Sequence, residues 1–535
     1  MTLAVLNTVP TMAPLGKASS WRSFSELHSA ALFSSADHSR RPVPRLTERV
    51  PSLENGDIVI EADGKMRVRY VLRGDVTWQD GVAFTADDLA FTFQVSSDPG
   101  IPFGLKNFIR LIDSVEAPDD RTFQITFAAP YYKADRLGLE SYWPLPRHIL
   151  GPAFDAYLSS HDADALMNLP YWTSEYVNLG PFAVATFDPA DTITLRAYDG
   201  YFLGRPKLDT IYLKVFSDTN SLYANILAGQ VDMFLEDTVS TNQGFELADR
   251  WRQSGEGAVY VQPGASRYLS PQLRPGVQIE PTALDPVIRG ALYMAIDREA
   301  LSEALQGGHR ELAAYEMLPP GDPLYPAVKD ALRVYGYDPQ RARSVLAENG
   351  WTAAADGRVR APDGRTFRAP LWGTGGRDRD QETAAIADTW RRIGLETEEV
   401  VIPATQVRNP EYRSNFPGWE VSSAGHGDEI LQQIEGPAAS AETRWTGNRR
   451  GYQDPRTDEL IHRYRASVST DEQVRAMKAI SDIVVDQLPF LMLYFTPYQV
   501  GVSSRVVALD DFDGAGDFSM DFGTYTRNAH LWQPR

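Results

Sequence analysis

The sequence predicts a mixed α/β protein built from two or more lobes. Period-two apolar runs of the kind found in half-buried strands recur along the chain, as at residues 67–72, 192–198 and 210–216. Segments with helix start and stop signals are interspersed with them, without strict βαβ alternation. At 535 residues, the chain is also too long for one ordinary core.

Residues 67–95 read RVRYVLRGDVTWQDGVAFTADDLAFTFQV. Val68, Tyr70 and Leu72 alternate with Arg67, Arg69 and Arg73, and Gln79-Asp80-Gly81 supplies a tight turn. Thr85 stands three residues before Asp88, so hydroxyl and acid can together cap a following helix. Further on, the strand patterns at 192–198 and 210–216 are joined through 200–206, and 221–228 reads as a helix closed by Gly229. Asp285 with Pro286 opens another helix, Asp297 caps the next, and Gly307 stops it. The same Asp-Pro start and Gly stop recur at Asp338, Pro339 and Gly350.

Composition excludes several functions. The chain has no cysteine, hence no disulfide, thiolate metal site, cysteine nucleophile or lipid-anchor cysteine within it. Its 71 acidic against 52 basic residues give a net charge of −19, which argues against nucleic-acid or anionic-membrane binding. The longest apolar run, 488–495, has eight residues and is interrupted by Pro489, far short of the roughly 20 needed to span a bilayer. No G-x-S-x-G elbow, phosphate loop or H-E-x-x-H motif occurs, so no catalytic set and no cofactor is expected. Gly373-Thr374-Gly375-Gly376 lacks dinucleotide spacing and reads as a strand-end loop. The eight histidines are scattered: neither His28 with His38 nor His148 with His161 has metal-ligand spacing.

Segment 67–95 resembles the "F-x-L-R-x-x-V-x-W-x-D-G-x-x-F-T-A-x-D-V" signature of the family 5 extracellular solute-binding proteins, receptors of dipeptide, oligopeptide and nickel ABC importers. Four more segments resemble that family in the same order. Leu179-Gly180-Pro181-Phe182 with residues 191–234 resembles its "G-P-Y" strand, "N-x-x-Y-W-x-G-x-P-x-L-D" loop and "L-x-x-G-x-V-D" helix end. DPVIRGALYMAIDREALSEALQGG at 285–308, YGYDPQRARSVLAENGW at 335–351 and GYQDPRTDELIHRY at 451–464 complete the set.

The resemblance implies a two-lobed periplasmic-binding-protein-like α/β fold with a hinge and an extra N-terminal subdomain. Residues 1–268 would form the first lobe, including that subdomain at about 35–178. Residues 269–488 would form the second lobe, and 489–535 would return to the first. The implied function is capture of an oligopeptide or dipeptide between closing lobes and delivery to a permease. The ABC permease and ATPase would be separate chains, the receptor a monomer in the periplasm or at the cell surface, and the export leader or anchor would lie upstream of Met1. The fold also serves oligosaccharides, haem, nickel chelates and opines, and could serve a ligand sensor. A hydrolase is the remaining alternative.

Candidate ligand contacts come from strand ends and family-matched regions. Trp372 lies where a second-lobe strand meets a loop, suited to an aromatic wall or to core burial. Family peptide receptors carry "G-W-x-x-D-x-x-D-P", whose first Asp receives the peptide amine; here PGWEVSSAGHGD at 417–428 keeps Gly418-Trp419 and loses the acid spacing. Asp428 or Glu420 could stand in for the missing acid. Tyr494 and Phe495 near the second crossover are further candidates, with Tyr142 and Trp143 behind them.

Overall fold

The computed structural model describes residues 1–15, 22–35, 42–103, 106–425, 427–509 and 524–535. His38 and His426 lie outside the described residues. The chain divides into two compact units, one formed by Met1–Gln262 with Tyr498–Arg535, the other by Pro263–Pro497.

In the first unit, Thr2–Leu6 is a central strand, buried through Leu3, Ala4 and Val5. It runs parallel to Thr210–Phe216 on one side and to Met233–Phe234 on the other. Thr192–Ala197 and Phe182–Phe187 extend this sheet antiparallel beyond Thr210–Phe216. The central strand Thr2–Leu6 reads as a near-continuous apolar run, whereas Thr192–Ala197 alternates buried and less buried residues along its length. A separate four-stranded antiparallel sheet takes Ile58–Ile60, Met66–Val71, Thr122–Phe127 and Ile112–Asp119 in that spatial order.

The expected capped helix is Ala86–Ser97. Thr85 and Asp88 form a reciprocal capping box, with the Thr85 amide donating to Asp88 Oδ2 at 3.0 Å. Asp88 also accepts from Trp78 Nε1 at 3.1 Å and from the Arg147 amide at 3.0 Å. The tryptophan, the acid and the cap of segment 67–95 thus make one buried joint between the helix and its surroundings.

Gly180 answers a different demand. A Cβ there would sit 2.2 Å from the His28 carbonyl carbon, so only glycine permits this approach. His28 is fully buried, sharing its Nδ1 with Ser29 Oγ at 2.9 Å; Ser29 Oγ in turn bonds the Tyr176 hydroxyl at 2.7 Å. Tyr142 and Trp143 are buried in the same unit with their own partners, the Leu89 carbonyl and the Tyr176 hydroxyl. Neither presents a free aromatic face.

In the second unit, Glu399–Ile402, Leu371–Thr374 and Trp419–Ala424 run parallel, and Gly257–Pro271 pairs antiparallel with Trp419–Ala424 through residues 266–271. Helices Pro286–Met294, Arg298–Leu305, Pro339–Glu348 and Pro455–Ala466 each begin after a capping aspartate: Asp285, Asp297, Asp338 and Asp454. Helix Arg377–Arg392 packs on the sheet and sends Trp390 against Trp419, ring centroids 5.1 Å apart.

Candidate functional site

The site is built on strand Trp419–Ala424 of the second unit. Gly418 precedes it because a Cβ there would lie 2.7 Å from the Pro370 carbonyl, to which the Trp419 amide donates at 2.9 Å. From this fixed start the strand alternates. Trp419 and Val421 face helix Arg377–Arg392, while Glu420 and Ser422 face the other side.

On that other side, Trp372 is in register with Glu420 on the neighbouring strand. Its half-buried ring packs on Tyr412 with centroids 5.0 Å apart and planes at 34°. Glu420 is buried, and its Oε1 accepts from Arg413 Nε at 2.7 Å and from Nη2 as well. Arg449 Nη2 donates to Ser422 Oγ at 3.2 Å and stands 3.6 Å from Glu420 Oε2.

Two further guanidinium groups adjoin these. Arg450 is buried, donates to Ser270 Oγ at 2.8 Å and to the Gln433 carbonyl, and lies over the Tyr268 and Phe490 rings at 5.3 and 5.8 Å. Among the described residues its Nε has no hydrogen-bond partner. Arg274 donates to the carbonyls of Ala439 and Arg449, and Gly451 leaves it room, since a Cβ there would meet its Cγ at 2.3 Å. Burial pushes the Arg274 and Arg450 guanidinium pKa values down, because desolvation penalises the charged form. Among the described residues, neither has a carboxylate within ion-pair distance. Arg413 and Arg449 thus share the carboxylate of Glu420, while Arg274 and Arg450, which adjoin Arg449, have no carboxylate in ion-pair contact among the described residues.

Tyr494 is placed elsewhere. Its hydroxyl donates to Glu382 Oε1 at 2.7 Å, and the same carboxylate receives Arg267 Nε at 3.1 Å. Glu382 lies on helix Arg377–Arg392, so Tyr494 belongs to the helix side of the sheet. Phe495 is buried. Asp428 is half-buried in the turn Gly427–Gln433, which follows Trp419–Ala424. The structure therefore puts Trp372 and Trp419 on adjacent strands but opposite faces, and gives Tyr494 a polar partner of its own. Arg413, Arg449, Arg450, Tyr412 and Ser422 were not singled out by sequence. The only trace of them is the twin arginine in Gly447-Asn448-Arg449-Arg450-Gly451, which carries no information about the strand it meets.

The family of bacterial extracellular solute-binding proteins, family 5, matches residues 41–439. The chain belongs to the family 5 solute-binding proteins. This solute-binding protein is 23% identical over 457 residues to the oligopeptide-binding protein AppA of Bacillus subtilis, covering 83% of this chain and 78% of that one. It is 24% identical over 504 residues to the dipeptide-binding protein of Escherichia coli, covering 86% and 84%. In structure it resembles NikZ from Campylobacter jejuni, solved with Ni(L-His), with a TM-score of 0.70 at 19% identity over 100% of this chain and 99% of that one. The mixed α/β architecture is thus that of the periplasmic binding proteins.

Family 5 members are extracellular or periplasmic receptors of ABC transport systems, so this solute-binding protein works with a permease and an ATPase and is not an enzyme. Among its described residues no helix is long and apolar enough to cross a membrane. Three residues beyond Trp419 stands Ser422, whose hydroxyl accepts from Arg449.

Proposed function

We propose that the protein is the receptor of a peptide-type importer, capturing an oligopeptide or dipeptide against the Trp372 face of the second unit. The observation that carries this reading is the half-buried Trp372–Tyr412 pair set beside polar side chains on a rigid sheet, the combination that binds a ligand's apolar body and fixes its orientation. The names of the oligopeptide- and dipeptide-binding relatives supply the ligand class. Trp419 braces this face from the helix side, Asp428 follows it in the chain, and Tyr494 sits behind it.

The two units serve in this reading as the closing lobes of a monomeric receptor. Shifting such a receptor from 1:99 to 99:1 closed requires the ligand to prefer the closed form by about 10⁴-fold, roughly 5.5 kcal/mol. A thermal-shift scan of protein freed of carried-over ligand by unfolding and refolding tests the ligand class. The panel is dipeptides, oligopeptides, maltooligosaccharides, haem and nickel–histidine. Peptides at 100 times their Kd should add about 2.7 kcal/mol and raise the midpoint by a few degrees. A rise with another class alone contradicts the peptide assignment.

A further inference from the structure

We infer that the ligand presents a carboxylate group to Arg449. The inference rests on the receptor reading above and specifies the chemistry of one end of its ligand.

Counting charges on the Trp372 face leads to it. Arg413 takes Glu420 Oε1 through two of its nitrogens, which completes one ion pair. Arg449 is left with a hydroxyl at 3.2 Å and with Glu420 Oε2 at 3.6 Å, beyond a charge-assisted hydrogen bond. Its side chain keeps 31% of its surface, so the guanidinium is open to a ligand, unlike the buried Arg450 beside it. Arg450 and Arg274 add positive charge with no carboxylate in ion-pair contact among the described residues, in a chain whose net charge is −19.

Arg450 is buried, and a buried charge with no counter-charge beside it is costly, so this face favours an incoming negative group. A ligand ammonium entering here would meet like charge. A carboxylate would meet a planar fork of donors suited to bidentate binding. The placement of Arg449 is also built in. Asn448 is buried and donates to the Glu435 and Tyr452 carbonyls at 2.9 Å each, which anchors the loop from inside, while Ser422 holds the guanidinium from the strand. The source of the carboxylate can be a peptide C-terminus or a small polycarboxylate.

The test is calorimetric titration of the refolded, ligand-free full chain with three probes: a mixed tripeptide pool with free C-termini, the same pool amidated at the C-terminus, and citrate. The free-acid pool is expected to bind at least about tenfold more tightly than the amidated pool. Arg449→Gln should abolish that preference, and Arg449→Lys should keep part of it. Ser422→Asp, which sets a carboxylate beside Arg449 within the fold, should abolish it too and serves if Arg449→Gln does not fold. Equal binding of both pools, or a preference that survives in Arg449→Gln, overturns the inference and leaves the receptor reading standing. Citrate binding that is lost in Arg449→Gln, with neither pool bound, supports the carboxylate site and overturns the peptide reading. Silence of all three probes on wild-type protein overturns both.

Discussion

Arg267 and Glu382 form an ion pair whose side chains retain only 9% and 1% of their surface, and the Tyr494 hydroxyl donates to the same carboxylate at 2.7 Å. The pair joins strand Gly257–Pro271 to helix Arg377–Arg392, and Tyr494 adds the strand Leu491–Ser503. The carboxylate holds the Arg267 guanidinium well above its ordinary pKa against the opposing effect of burial. Removing one member leaves a buried charge alone. Glu382→Ala should therefore cost about 3–5 kcal/mol in urea unfolding, whereas Tyr494→Phe should cost about 1 kcal/mol.

The capping joint of segment 67–95 should be equally sensitive. Asp88 serves three donors, from Thr85, Trp78 and Arg147. Burial pushes its carboxyl above the usual range despite them. Asp88→Ala leaves these donors unpaired at about 1–3 kcal/mol each, so a loss of several kcal/mol is expected in denaturant unfolding. Asp87→Ala, with an exposed ion pair to Arg147, should change stability by less than about 1 kcal/mol.

Gly180→Ala tests the close approach to His28. The added methyl would fall 2.2 Å from one backbone atom of His28–Ser29 and 2.3 Å from another, and neither can rotate away. Overpacking of this kind costs about 1–3 kcal/mol or more, read as a lowered thermal midpoint. Gly276→Ala, with open space around it but a φ of +85°, should show only the smaller backbone penalty.

Two buried groups set opposite pH limits in the first unit. Burial lowers the His28 pKa to about 3 from 6.5, so between those values the unfolded chain binds a proton that the fold refuses, and stability falls as pH drops. Burial raises the Glu236 carboxyl to about 7 from 4.5. Between 4.5 and 7 the fold keeps a proton the unfolded chain has lost, so stability falls as pH rises. Going from pH 4 to pH 8, Glu236→Gln should gain on wild type by up to about 3 kcal/mol in urea midpoints measured across the range.

The helices were legible in the sequence because their signals are local. Asp285, Asp297 and Asp338 cap the helices that follow them, as their sequence signals indicate, and Thr85 with Asp88 forms the expected box. The strand periods at 192–198 and 210–216 survive as Thr192–Ala197 and Thr210–Phe216. The site was less legible. Trp372 stood out as an aromatic at a strand end, but its partner Tyr412 is 40 residues away in sequence and carries no pattern of its own. The guanidinium cluster assembles from Arg274, Arg413 and Arg449-Arg450, which lie in loops and in the short helix Pro410–Ser414 far apart in sequence. Glu420, a candidate stand-in for the missing acid, is a buried strand residue already neutralised by Arg413.

The claim that the Trp372 face holds the ligand is tested most directly by the affinity of Trp372→Ala for whichever peptide raises the wild-type midpoint. A half-buried ring that covers the ligand should, on removal, raise Kd at least tenfold, more than about 1.4 kcal/mol, while the ligand-free variant unfolds close to wild type. An unchanged Kd in a folded Trp372→Ala variant would place the ligand away from this face and contradict the account.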